Sequence, residues 1–180
     1  MEKERSFVMI KPDGVEKGLT EEIINRLESA GLTIVQKKEI VPTKEMILQH
    51  YADSEPWYIS VGSKTISSYK KMGLDITKVF GKEDPIIVGK TIRNWLVDYI
   101  TSGPVVAMIV EGPEGMIKKI RELAGNTNPI EAEKGTIRGD FSTDSYEIAN
   151  NESRSVHNII HASESPEETE RETKIWFPKN

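Results

Sequence analysis

The order of apolar runs along this chain constrains its fold more than any other feature. Ser6-Phe7-Val8-Met9-Ile10 reads as a buried strand, closed by the turn residues Lys11-Pro12-Asp13-Gly14. Thr20 then precedes Glu21 and Glu22, and Ile23, Ile24, Leu27 and Ala30 recur at helical spacing up to Gly31, a good residue to follow a helix. Leu32 to Val41 is a second strand candidate ended by Pro42, and Thr43 can cap a helix reaching about Tyr51. Val105 to Val110 is a third strand, stopped by Gly112-Pro113. Met116, Ile117, Ile120, Leu123 and Ala124 then form an apolar helical stripe ending at Gly125. Val156 to His161 fits a fourth strand, followed by Ser165-Pro166-Glu167-Glu168, a capping-box start with proline at the first helical position. Strand and helix therefore alternate as two βαβ halves over one sheet. The predicted fold is α+β: a ferredoxin-like βαββαβ sandwich with a four-stranded antiparallel sheet and helices packed on one face.

At 180 residues the chain is expected to form a single domain, 1–180, which can bury roughly two-thirds of its unfolded surface. Two polar stretches resist the alternation. Residues from about 59 to 90 hold Ser, Gly and Lys with the Lys70-Lys71 pair, and residues from about 142 to 155 contain Asn150-Asn151. Both read as insertions or long surface loops. There are no cysteines, which excludes thiol catalysis and thiolate zinc sites. A net charge of −5 with interspersed signs argues against a dedicated nucleic-acid surface. The run Val105 to Val110 is far too short to span a bilayer, and Met1-Glu2-Lys3-Glu4-Arg5 leads into a strand rather than a signal-peptide core. A cytoplasmic protein without a membrane segment is expected.

His161 is the strongest candidate for chemistry. It lies in Asn158-Ile159-Ile160-His161-Ala162-Ser163-Glu164-Ser165, between an apolar run and a helix start, whose free N–H groups suit anions. The other two of the chain's three histidines, His50 and His157, lack such a setting. A neutral imidazole is a nucleophile near pH 7, and a carboxylate can orient it through the nitrogen that does not attack. Glu164 and Glu172 are both candidates for that task. Lys11, Arg121 and Arg138 are candidate phosphate ligands. Arg138 is flanked by glycines in Gly135-Thr136-Ile137-Arg138-Gly139-Asp140. Gly89-Lys90-Thr91 imitates the end of a phosphate-binding loop, but Asp84 stands where that loop needs its first glycine.

These segments together resemble the nucleoside diphosphate kinase family. The resemblance rests on Phe7-Val8-Met9-Ile10-Lys11-Pro12-Asp13-Gly14, His50-Tyr51, Ser102-Gly103-Pro104-Val105-Val106-Ala107-Met108, Gly125-Asn126-Thr127-Asn128-Pro129, Gly135-Thr136-Ile137-Arg138-Gly139-Asp140-Phe141 and the His161 segment, in family order. It implies ping-pong transfer of a γ-phosphoryl group from a nucleoside triphosphate to a nucleoside diphosphate, through a phosphohistidine on His161. It also implies that Lys11, Arg121, Thr127 and Arg138 hold phosphates, and that Tyr51 stands beside the active site. Asn158 would bond the ribose and phosphate region, Ser163 and Glu172 would support the histidine, and Trp57 would stack on the base. Stacking on an aromatic face tolerates every base. Mg²⁺ would be held mainly by the nucleotide phosphates, with no protein metal site, and the family assembles as homo-oligomers, hexamers or tetramers. An archaeal-like or bacterial variant is suggested, because the stretches at about 59–90 and 142–155 exceed the usual family length. His157, Ala162 and Glu164 depart from the common arginine, glycine and aspartate. A catalytically silent nucleotide-binding regulator on the same fold is the alternative.

Overall fold

The computed structural model describes residues 3–178. Met1, Glu2, Lys179 and Asn180, which the single-domain expectation also covers, lie outside the described residues. Strands β1 (Lys3–Ile10), β2 (Thr33–Ile40), β3 (Val105–Pro113) and β4 (Ile160–Ala162) form one sheet in the order β2-β3-β1-β4, with every neighbouring pair antiparallel. This is the ferredoxin-like arrangement that the alternation of elements predicts.

Side chains alternate between faces along a strand, so register decides which residues meet. Met9 pairs with Ala107 on β3 and with His161 on β4, which sets His161 on the same face as Phe7 and Met9. The helices are α1 (Pro12–Glu16), α2 (Thr20–Ser29), α3 (Lys44–His50), α4 (Glu55–Met72), α5 (Thr77–Phe80), α6 (Pro85–Ile100), α7 (Met116–Ala124), α8 (Ile137–Phe141), α9 (Tyr146–Asn151) and α10 (Pro166–Trp176).

Helices cover both faces of the sheet rather than one. Val8, Ile10, Met108 and Val110 pack with Ile23 and Leu27 of α2 and Ile120 of α7. Phe7, Met9, Ala107 and Ile109 form a second core with Ile47 of α3, Val97 and Ile100 of α6 and Trp176 of α10. The cause is legible in the strands. The last five residues of β1 and the first six of β3 are buried without alternation, the pattern of a strand covered on both sides. β2 lies at the sheet edge and alternates only weakly.

The stretch from 59 to 90 is helical, not a loop. It falls within α4, α5 and α6, which enclose a small core of Tyr69, Ile76, Phe80 and Val88. Its glycines permit the packing. A Cβ added at Gly62 would stand 1.9 Å from the Pro85 carbonyl oxygen, and one at Gly89 would stand 2.3 Å from that of Tyr58. The two helices thus meet backbone to backbone. Asp84 caps α6, accepting from the N–H groups of Ile86 (2.8 Å) and Ile87 (3.1 Å). The carboxylate that argues against a phosphate loop is therefore a helix cap, and Gly89-Lys90-Thr91 lies inside the helix. The second polar stretch carries α9, capped by Ser145 accepting from Ile148 N–H (3.1 Å).

Lys11-Pro12-Asp13-Gly14 also differs from expectation: α1 starts at Pro12, so the turn is a short helix. The fourth strand is shorter than predicted and begins at Ile160. Ile159 has φ 71°, and Ile160 N–H donates to Asn158 C=O across it (2.8 Å), a tight turn that no β ladder can include. A β-branched residue there stores on the order of 1–3 kcal/mol of strain. Asp13 and Lys11 hold it: Asp13 Oδ2 accepts from Ile159 N–H (3.1 Å), and Lys11 N–H donates to Ile159 C=O (2.8 Å).

Candidate active site

The turn at Ile159 delivers Asn158 and His161 to opposite ends of a three-residue step, and a cleft of about 410 Å³ opens beside them. Glu172, two turns into α10, is 1 % exposed. Its Oε1 accepts from His161 Nε2 (2.9 Å) and its Oε2 from Ser163 Oγ (2.6 Å). Burial would raise the Glu172 carboxyl, but the charge and hydrogen bond of His161, with His50 and Ser163, hold it down at about 2. An ionised carboxylate only accepts, so His161 carries its hydrogen on Nε2 and its Nδ1 is left free. Of the two candidate orienters, Glu172 takes the task. Glu164 instead pairs with Arg121 at the cleft rim (3.0 Å).

Two of the candidate cations, Lys11 and Arg138, converge on Asn158. Lys11, at the end of β1, is 5 % exposed and donates from Nζ to Asn158 Oδ1 (2.6 Å). Burial, reinforced by the neighbouring Arg138 cation and partly offset by Asp13, lowers its ammonium to about 7. Arg138, on α8, is anchored by backbone carbonyls: Nε donates to Asn158 C=O (3.2 Å), one terminal nitrogen to Gly125 C=O (2.7 Å) and the other to Ile160 C=O (2.7 Å). Burial lowers it to about 10, and it remains a cation at neutral pH. With five donors in all, its planar fork keeps some free for a ligand. Asn158 also donates from Nδ2 to Thr127 C=O (2.9 Å). It is therefore bonded to Lys11, Arg138 and Thr127 together.

Tyr51, Trp57, Arg121 and Thr127 line the same cleft as Lys11, Arg138, Asn158, His161 and Glu172. Ser163 does not. It is fully buried and reaches the cleft only through Glu172. Trp57 lies in the first turn of α4, with its ring 6.2 Å from that of Tyr51. Burial, and then the Glu172 charge, raise the Tyr51 hydroxyl above its ordinary range, so it stays protonated.

A family model for nucleoside diphosphate kinase matches residues 4–77 and 86–180. The nucleoside diphosphate kinase of Pyrobaculum aerophilum is 44% identical over 177 residues, 98% of this chain and 96% of that protein. The chain belongs to the nucleoside diphosphate kinase family. The crystal structure of an NDP kinase from P. aerophilum superposes with a TM-score of 0.94 at 43% identity, covering 99% of this chain and 97% of the other. A Borrelia burgdorferi nucleoside-diphosphate kinase, solved as a transition state mimic with bound vanadate and ADP, gives a TM-score of 0.75 at 31% identity, covering 99% of this chain and 89% of that one. The match to the kinase family is interrupted over 78–85, from within α5 to the first residue of α6.

Several residues around this cleft carry no mark of their own in the sequence. His50 does have a distinctive setting: it is 2 % exposed, its ring centroid lies 4.8 Å from that of His161, and its Nδ1 is 3.6 Å from Glu172 Oε1. Trp176 Nε1 donates to that Nδ1 (3.2 Å), so the His50 hydrogen sits on Nε2, which is buried without an acceptor. Burial, followed by the His161 charge, lowers His50 to about 3. Its place beside Tyr51 in a family motif was the available signal. Asp13 and Tyr99 support the Ile159 turn, Tyr99 Oη donating to Asp13 while its ring stacks on His157 at 4.4 Å. Arg93 and Arg171 hold the end of α3. Arg93 donates to Leu48 C=O (2.7 Å) and Tyr51 C=O (3.1 Å), and Arg171 to His50 C=O (2.7 Å). Both satisfy carbonyls that a helix end leaves free.

Proposed function

We infer that this chain is a nucleoside diphosphate kinase that passes the γ-phosphoryl group of a nucleoside triphosphate to a nucleoside diphosphate by way of phosphorylated His161. One observation carries the assignment of His161: Glu172 fixes its hydrogen on Nε2, and the remaining nitrogen stands in a cleft with the partly exposed ring. In the first half-reaction, Nδ1 bonds to the γ-phosphorus as the bond to the bridging oxygen breaks. The leaving diphosphate carries away the electron pair. The imidazolium so formed keeps its Nε2 hydrogen, and the Glu172 carboxylate balances its charge. In the second, a terminal oxygen of another diphosphate attacks phosphorus and Nδ1 leaves with its lone pair.

Such transfers need positioning and charge neutralisation more than covalent assistance. We assign Lys11, Arg121, Arg138 and Thr127 to the phosphates, and Tyr51 to the approach beside His161. Asn158 holds Lys11 in place and bonds the ribose and phosphate region. Trp57 offers a stacking face to the base, and Ser163 steadies Glu172. Arg121 must exchange Glu164 for phosphate, a small cost for an exposed pair.

Among the described residues, the one group of His, Asp and Glu side chains close enough to share an ion is His50, His161 and Glu172. Two imidazoles and a buried carboxylate do not suit Mg²⁺, which prefers an octahedral oxygen shell. Mg²⁺ is assigned to the nucleotide phosphates and enters with the substrate. No helix among the described residues is long and apolar enough to cross a membrane. A cytoplasmic homo-oligomer, hexamer or tetramer, completes the proposal, with 59–90 and 142–155 as insertions on the family frame. Sedimentation tests the assembly, and a stable monomer would refute it. Incubation with γ-labelled ATP tests the chemistry: acid-labile, alkali-stable phosphate should appear on the wild type and be absent from His161→Ala. Equal label on both would exclude His161.

A further inference from the structure

Phosphoryl transfer leaves part of the cleft lining without a task. α9 presents Tyr146 and Asn150 to the cleft, one helical turn apart and so on the same face. Tyr146 lines the cleft together with Arg138. Asn150 follows about 6 Å along the helix axis. It is 7 % exposed, yet its side-chain amide bonds to none of the described residues. The sealed and unpartnered buried side-chain atoms among these residues are His50 Nε2 and Tyr69 Oη, so the Asn150 amide is open to the cleft. A nine-tenths buried amide facing a ligand cavity with its donors and acceptor unused is a poor fit to a purely structural role.

We propose that Asn150 hydrogen-bonds the polar edge of the nucleobase and supplies affinity for every base without choosing between them. This rests on the reading of the cleft as a nucleotide site. Phosphate is a weaker match, because it only accepts and would leave the amide oxygen facing an anion. Each base, by contrast, carries a donor beside an acceptor on its pairing edge: amino and ring nitrogen in adenine and cytosine, carbonyl and ring N–H in guanine, uracil and thymine. A carboxamide offers the complementary pair, and a half-turn about its last bond exchanges the two. It can therefore satisfy either arrangement, as stacking on Trp57 would accept any base.

Two substitutions test this. Asn150→Leu keeps the branched shape, with a larger volume, and removes both hydrogen bonds. The KM for dADP, dGDP, dCDP and dTDP should each rise roughly threefold to tenfold, the worth of about one hydrogen bond, with little change in kcat. Labelling of His161 by ribose 5′-triphosphate, which has no base, should match the wild type. Asn150→Asp offers acceptors only. It should favour dGDP, whose ring N–H and amino group are two adjacent donors, over dADP, dCDP and dTDP, which each set one donor beside an acceptor, so that the ratio of kcat/KM for dGDP to that for the others rises about tenfold. Equal impairment with the base-free donor, or no change in that ratio, would overturn the proposal. Nucleotide affinity, read in parallel by tryptophan fluorescence, separates it from the kinase reading. If these affinities follow the base pattern while His161 never labels, phosphoryl transfer fails and the base contact stands.

Discussion

Replacing Glu172 by Gln tests the central arrangement most directly. Glutamine keeps the shape but removes the charge, and it places an NH₂ group where one of two donors, His161 Nε2–H or Ser163 O–H, now finds an acceptor. The carboxyl is held at about 2 against an ordinary 4.5, which is worth about 3 kcal/mol to the folded state. The folded-state value is the lower one. That stability is therefore complete above pH 4.5 and is lost as pH falls toward 2. Glu172→Gln should be about 3 kcal/mol less stable at pH 7 in urea denaturation, and the gap should narrow below pH 4.5. A fold of ordinary stability survives such a loss. The rate should fall further than stability alone explains. The variant lacks a charge-assisted hydrogen bond to the forming imidazolium, worth about 1.5–3 kcal/mol, or roughly tenfold to 150-fold in phosphohistidine formation. Single-turnover labelling at pH 7, under conditions where the variant is folded, measures this directly. A rate within twofold of wild type, or a stability gap independent of pH from 6 to 3, would refute the reasoning.

Other consequences follow from the same geometry. His50 is buried neutral at about 3 against an ordinary 6.5, so acidification from pH 6.5 toward 3 should cost stability on the order of 5 kcal/mol. His50→Asn keeps an acceptor for Trp176 and should flatten that slope; equal slopes in denaturation at pH 7 and 4.5 would count against it. Lys11, lowered to about 7 by burial, should regain its proton beside phosphates. Calorimetry of nucleotide binding at pH 7.5 in buffers of different ionisation heat should register proton uptake, and Lys11→Met should abolish it. Gly89→Ala drives a methyl group into the Tyr58 carbonyl and should lower stability by about 1–3 kcal/mol or more, read as a reduced melting temperature; an unchanged value would contradict the close helix crossing.

The legible elements were those whose pattern is local. α2 and α7 announce themselves by apolar spacing, and α10 by Ser165, whose Oγ accepts from Glu168 N–H (3.1 Å). The box there is displaced by one residue, since Glu168 Oε2 takes the N–H of Glu164 (2.8 Å) rather than that of Ser165. α4 and α6 were illegible because glycine-mediated backbone contact replaces the wide apolar stripe that periodicity detects. The early start of β4 failed because Ile159 obeys hydrogen bonds from Lys11 and Asp13, far away in sequence. The candidate site residues stood in ordered motifs, and all but Ser163 line one cleft. His50 escaped because a buried histidine beside a helix end has no local mark of its environment.

The sequence by itself determined the inventory: the strand and helix order, the lysine, arginines and histidine, and the exclusion of thiol chemistry. Those follow from side-chain type and spacing, which are properties of the chain. Tertiary structure decided the rest. It chose Glu172 over Glu164 as the carboxylate on His161, left Nδ1 as the free nitrogen, covered both faces of the sheet, and turned the Asn150 amide toward a cleft. Each of these depends on which groups lose water together and which donor finds which acceptor, and that is settled only when distant segments pack.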